Sequence, residues 1–157
     1  MSSRRRTIEL DEQERHAFLN QARTILLVSN GRRGYPHPMP MWFCIDSHGT
    51  ICCTTFAKSQ KVLNLRRDPR ASLVVESGDL YSELKGVVVE ARAEIVAEER
   101  VVLDVLMGIA KKRRVSGMDD NQPIRSGLER TAKKRVALLF APERFMSWDH
   151  SKLGGRY

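Results

Sequence analysis

Between Gly86 and Val96 the chain reads GVVVEARAEIV, and this segment limits the fold more than any other. Val87, Val89, Ala91, Ala93 and Ile95 fall at every second position, with Glu90, Arg92 and Glu94 between them. A period of two puts the apolar set on one face of a strand and the charged set on the other. A sheet with one buried face and one wet face follows.

The flanking segments extend that sheet. TILLVSN, residues 24–30, is a short apolar run with β-branched residues, closed by the turn signal NGRRG. YPHPMPMWFCID carries Pro36, Pro38 and Pro40 at alternate positions, so the missing N–H groups all lie along one side, and an edge or irregular strand is expected. SHGT turns the chain into a third strand, ICCTTF, and ASLVVES supplies a fourth. KRVALLFAPERFMSWD reads as a last strand, broken at Pro142.

Helical spacing interrupts the strands at defined places. Asp11 and Glu14 have the spacing of a capping box ahead of Phe18, Leu19 and Ala22. SQKVLNLRRDP predicts a short helix ended by Pro69, and AEERVVLDVLMGIAKKRR a longer one with Val102, Val105, Leu106 and Ile109 on one side. Its acids come first and its cations last, as the helix dipole prefers. VSGMDDNQPIRSG, residues 115–127, reads as a loop. Hairpin-spaced strands with helices inserted between them predict an antiparallel α+β barrel, and a Rossmann sheet is disfavoured because no glycine-rich fingerprint occurs.

The 157 residues suit one domain, residues 10–157, behind a flexible basic arm at 1–9 containing Arg4, Arg5 and Arg6. A net charge of +8 favours an anionic partner without choosing among nucleic acid, lipid and a phosphorylated small molecule. The polar N-terminus holds no apolar segment fit for a signal peptide or membrane span, so a cytoplasmic protein is expected. Cys44, Cys52 and Cys53 read as reduced core thiols, since neighbouring strand residues face opposite ways and serve one metal poorly. HGTICC has neither the count nor the spacing of a zinc site, and no metal is expected.

The chemistry concentrates in TTFAKSQKVLNL. Thr54, Thr55 and Ser59 gather at a strand-to-helix junction, with Ser59 as the natural N-cap and Lys61 in the first turn. A helix N-terminus carries unpaired N–H groups and partial positive charge, so an added lysine makes a cradle for phosphate or carboxylate. The alternative is a capped surface helix.

AKSQKVLNLRRDPRASLVVE, the following strand and the terminal SWDHSKLGG together resemble the flavin- and deazaflavin-dependent oxidoreductases. These have the split β-barrel of pyridoxamine phosphate oxidase, and the sequence is most similar to the actinobacterial branch associated with coenzyme F420. The resemblance spans roughly residues 10–155 and is most specific over 57–70. It implies a homodimer with cofactor sites across the subunit interface, and hydride transfer between reduced F420 and an unsaturated or conjugated small molecule. FMN is the alternative cofactor, and a non-catalytic cofactor-binding protein the alternative role. By position it implies that Ser59 and Lys61 bind the cofactor phosphate, with Thr54, Thr55, Ala57 and Lys58 beside them. Pro40, Met41, Trp42 and Phe43 would run along the ring, and Trp148, Asp149 and Lys152 would close the site from the partner.

PMPMWF offers sulfur, aromatic and proline surfaces that suit a flat ring, but plain core residues would read the same. Arg32, Arg33, Arg66 and Arg67 would suit the acidic tail of F420 if they shared one groove. His37 and His150 are candidate proton donors by pKa range alone. Nucleic acid is disfavoured as a partner, because RRR, KKRR and KKR come without a recognition motif.

Overall fold

The fold is that of a computed structural model, which describes residues 4–113 and 122–155. Six strands close into an antiparallel barrel: β1 (Thr24–Asn30), β2 (Pro36–Ile45), β3 (Ile51–Phe56), β4 (Arg70–Ser77), β5 (Lys85–Val96) and β6 (Arg135–Asp149). The order around the barrel is β1-β2-β3-β6-β5-β4, and β4 pairs back onto β1. Helices α1 (Arg4–Ile8), α2 (Glu12–Gln21), α3 (Gln60–Arg67), α4 (Glu99–Arg113) and α5 (Gln122–Ala132) lie outside it. Among the described residues no helix is long and apolar enough to cross a membrane.

The alternation in β5 does what its period demands. Val87, Val89 and Ala91 are buried with Phe43, Phe140, Leu27, Leu73 and Leu138 in the barrel interior, while Arg92 and Glu94 face outward. A second apolar layer forms outside the barrel, where Val102, Val105, Leu106 and Ile109 of α4 cover Cys52 and Ala137. β3 is thus buried on both faces, which explains why ICCTT shows no polar alternation.

The prolines of β2 are accommodated by geometry. Register with β1 runs unbroken from Asn30↔Pro36 to Thr24↔Trp42. His37, Met39 and Met41 must carry that ladder, which turns each proline nitrogen to the opposite edge, where β3 pairs only with Phe43–Ile45.

Three expectations are corrected. Pro142 does not break the last strand: Ala91 faces Pro142 and Glu90 faces Arg144, so Glu143 is the extra residue of a β-bulge and β6 continues to Asp149. Residues 122–127 are not loop but the start of α5, with Pro123 in the first turn, where its missing N–H is not needed; residues 114–121 lie outside the described residues. The expected N-terminal arm contains α1, a short helix.

The capping box at α2 forms as read. Glu14 N–H donates to Asp11 Oδ1 and Asp11 N–H to Glu14 Oε2, both at 2.8 Å. Asp11→Ala is expected to cost about 1 kcal/mol in a urea melt. The loss disappears if another side chain takes over the cap.

Candidate functional site

β3 ends at Phe56, and a tight turn closed by Ser59 N–H to the Phe56 carbonyl (3.0 Å) starts α3. Ser59 occupies the N-cap position with extended backbone, but its side chain caps nothing. Its hydroxyl lies 3.2 Å from Thr55 Oγ1 instead. Lys61 does not reach into solvent as a surface helix would have it. It is 9% exposed, and its Nζ donates to Thr55 Oγ1 at 3.0 Å. Thr54 and Thr55 are buried beside it, Ala57 is partly buried against the core, and Lys58 is exposed.

A residue not singled out from the sequence completes the cluster. Arg135 opens β6 opposite Phe56, its guanidinium 4.6 Å from the Phe56 ring centroid. Its Nη1 lies 3.4 Å from both the carbonyl and the hydroxyl of Thr54, and its buried Nε has no partner. Burial, and then the nearby Arg135 charge, lower the Lys61 pKa. Among the described residues neither cation is paired with a carboxylate. A buried cation beside a partly buried one, with an orphaned donor, forms a site that an anion would relieve.

Gln60, beside Ser59 and Lys61, also lines a cleft of about 520 Å³. Arg32 and Arg33 of the β1–β2 turn face it, with Tyr35, His37 and Asn64. The cleft wall is braced, since Gln60 donates to Asn64 (3.0 Å) and Asn64 to Ser29 (3.1 Å). His37 Nδ1 is buried there without a partner. Of the four arginines that would suit an acidic tail if they shared one groove, Arg32 and Arg33 line this cleft. Arg67 is directed to the Asn30 carbonyl and Arg66 is exposed.

The β2 residues divide by strand parity. Met41 and Phe43 are buried in the barrel core, so only their main chain faces outward, while Pro40 and Trp42 are exposed. Arg113 stacks on Trp42 at 3.4 Å from the ring centroid.

The C-terminal residues lie elsewhere in the chain's own fold. Trp148 sits opposite Gly86. It is eleven residues along β6 from Ala137, the partner of Thr54, or roughly 35 Å of extended strand. Asp149 pairs with Lys85 at 3.1 Å and accepts from Ser151. Burial alone would raise its pKa, but those hydrogen bonds outweigh it and hold the carboxyl below its usual value. Lys152 donates to Glu14 (2.6 Å) and to the Glu9 carbonyl, and His150 Nδ1 is 2.9 Å from the Tyr81 carbonyl.

A barrel of this strand order with a cationic cluster at the β3–α3 junction has relatives. The family model described as pyridoxamine 5'-phosphate oxidase matches residues 11–149. The chain belongs to the pyridoxamine 5'-phosphate oxidase family. A conserved hypothetical protein of Mycobacterium tuberculosis shares 37% identity over 99% of this chain and 95% of its own, with a TM-score of 0.86. An F420 reductase shares the fold at 18% identity, covering 83% and 94% of the two chains, with a TM-score of 0.62. So does a FAD-binding protein of Mesorhizobium loti at 17% identity, covering 88% and 94%, with a TM-score of 0.64. No curated protein matches.

Proposed function

We propose that the protein is a cytoplasmic F420-dependent oxidoreductase acting on an unsaturated or conjugated small molecule. The observation that carries this reading is the buried Lys61 beside the partly buried Arg135, whose Nε has no partner, at a junction of hydroxyls and, among the described residues, without a paired carboxylate. That set fits a phosphate. Lys61, Arg135, Thr54, Thr55 and Ser59 would hold it, with Ala57 and Lys58 shaping the turn. When bound, the deazaflavin supplies hydride transfer. The protein's part is to bind, orient and keep water out.

Arg32 and Arg33, on a cleft that shares Gln60 with the junction, favour F420, whose tail carries carboxylates, over FMN. Pro40, Trp42 and the main chain at Met41 and Phe43 offer the surface for the ring. His37 has a partnerless nitrogen with which to hold or move a proton, whereas His150 is engaged by Tyr81. Trp148, Asp149 and Lys152 cannot reach the same chain's cradle and are assigned to the site of a second copy, in a homodimer.

Titrating the purified protein with F420 and FMN separately tests the cofactor choice. F420 is expected to bind more tightly, and tighter FMN binding would reverse it. Oxidation of reduced F420 across enones and quinones tests turnover. Tight binding with no turnover would make the protein a cofactor carrier.

A further inference from the structure

We propose that Cys44 and Cys52 form a redox-active dithiol, which hydroperoxides oxidise to an intrachain disulfide across β2 and β3. The two are direct partners in the β2–β3 ladder, and their side chains share the face that Cys53, buried in the barrel interior, does not. Asp46 N–H bonds to the Thr50 carbonyl at 3.0 Å at the hairpin end. Hydrogen-bonded pairs alternate along an antiparallel ladder, so Cys44 and Cys52 are such a pair, with Cα atoms about 5.5 Å apart. That separation lies inside the disulfide range of about 4.4–6.8 Å.

The thiols also border a cavity and differ in exposure and electrostatics. Both line a cavity of about 650 Å³ between the hairpin and α4, and Cys44 is partly exposed. Gly108 lets α4 pack closely on Cys44, since a Cβ there would stand 2.8 Å from its sulfur. The Cys44 thiol donates to the Val105 carbonyl at 3.8 Å and the Cys52 thiol to the Thr50 carbonyl at 3.4 Å.

The charged groups facing the pair are Lys111, Lys112 and Asp104 from α4 and Asp46 from the end of β2. Lys112 is anchored by its bond to the Leu19 carbonyl (2.8 Å) and lies over the Phe43 ring. The neighbouring Cys52 thiol, and then Lys112, lower the Cys44 pKa against burial and Asp46, while the Cys44 thiol and burial raise that of Cys52. Cys44, partly exposed where Cys52 is buried, is therefore the attacking sulfur and Cys52 the resolving one.

The chemistry balances in two steps. The Cys44 thiolate attacks the outer peroxide oxygen, the O–O bond breaks, and the departing alkoxide or hydroxide takes up the thiol proton, leaving a sulfenic acid. Cys52 sulfur then attacks the Cys44 sulfur, the S–O bond breaks, and the Cys52 proton leaves with it as water. Two thiols lose two electrons to one hydroperoxide.

Treating the whole protein with hydrogen peroxide, alkylating and mapping peptides tests this directly. Two of its three free thiols should vanish, with a single peptide pair joining positions 44 and 52, and dithiothreitol should restore both. In Cys52→Ser, Cys44 should stop at a sulfenic acid that dimedone traps. Retention of all three thiols in the treated wild-type protein overturns the proposal. A bridge to Cys53 or between chains does so equally, without depending on any variant folding.

Discussion

Lys61→Met is expected to weaken binding of a phosphate-bearing cofactor by about 10- to 100-fold. A hydrogen bond to a charged group is worth roughly 1.5–3 kcal/mol, and about 1.4 kcal/mol is tenfold in affinity. Arg135→Gln should do much the same, and the double variant should fall short of the product, because both cations would serve one anion. The apo protein should respond oppositely. Burial lowers the Lys61 pKa below its ordinary 10.5, so over that window the unfolded chain binds more protons than the folded one. Stability should therefore rise with pH as the folded lysine deprotonates, up to the ordinary value. Lys61→Met should lack that rise and lose no apo stability at neutral pH. Urea midpoints from pH 7 to 10, beside cofactor titrations, separate the possibilities. A destabilised apo protein with intact affinity would make Lys61 a packing residue and end the cradle reading.

Gly86→Ala should be the most damaging small change in the barrel. A Cβ on Gly86 would come within 2.2 Å of Trp148 Cζ2, with two more indole atoms inside 2.8 Å on the same ring. Overpacking of this kind costs about 1–3 kcal/mol, and a domain of this size loses roughly 2–4 °C of Tm for each. The indole must shift, so tryptophan emission should change with the melting temperature. Asp149 follows Trp148 directly and is tied to Lys85, so the displacement should reach that ion pair as well. If Trp148 serves a second copy's cofactor, affinity should fall alongside. Unchanged Tm and emission would mean that the ring swings clear, and Trp148 would have no fixed place to offer a partner.

What was legible in the chain was what is local. Alternation in β5, the Asp11 and Glu14 spacing, and the helical stripe through Val102 and Ile109 each depend on neighbours within a few residues, and each formed as read. The strand sequence and barrel class followed from them. Arg135 was not legible as part of the cradle, because only the register of β6 on β3, between segments some eighty residues apart, sets it beside Thr54. The inward turn of Lys61 escaped for the same reason: a lysine in a first turn reads as solvated until Thr55 and the barrel wall surround it. α5 was hidden by its own composition, since Pro123 and Gly127 signal a loop to any local reading although a proline fits a helix's first turn. Pro142 misled in turn, because a bulge is a property of the pair and Glu90 and Ala91 had to be in place to show it.

The alternate prolines of β2 also govern how molecules of this protein meet. Over residues 36–42 the strand shows an edge with no second strand on it, and an edge of that length is ordinarily a template for another chain to extend. Pro36, Pro38 and Pro40 remove three of the four main-chain donors that would face the newcomer over 36–42, leaving only that of Trp42. A second copy cannot continue the sheet there, and sheet-by-sheet growth into fibres is closed off at its most exposed starting point. Any association along this edge must be made by side chains, such as the exposed Trp42, and not by strand pairing.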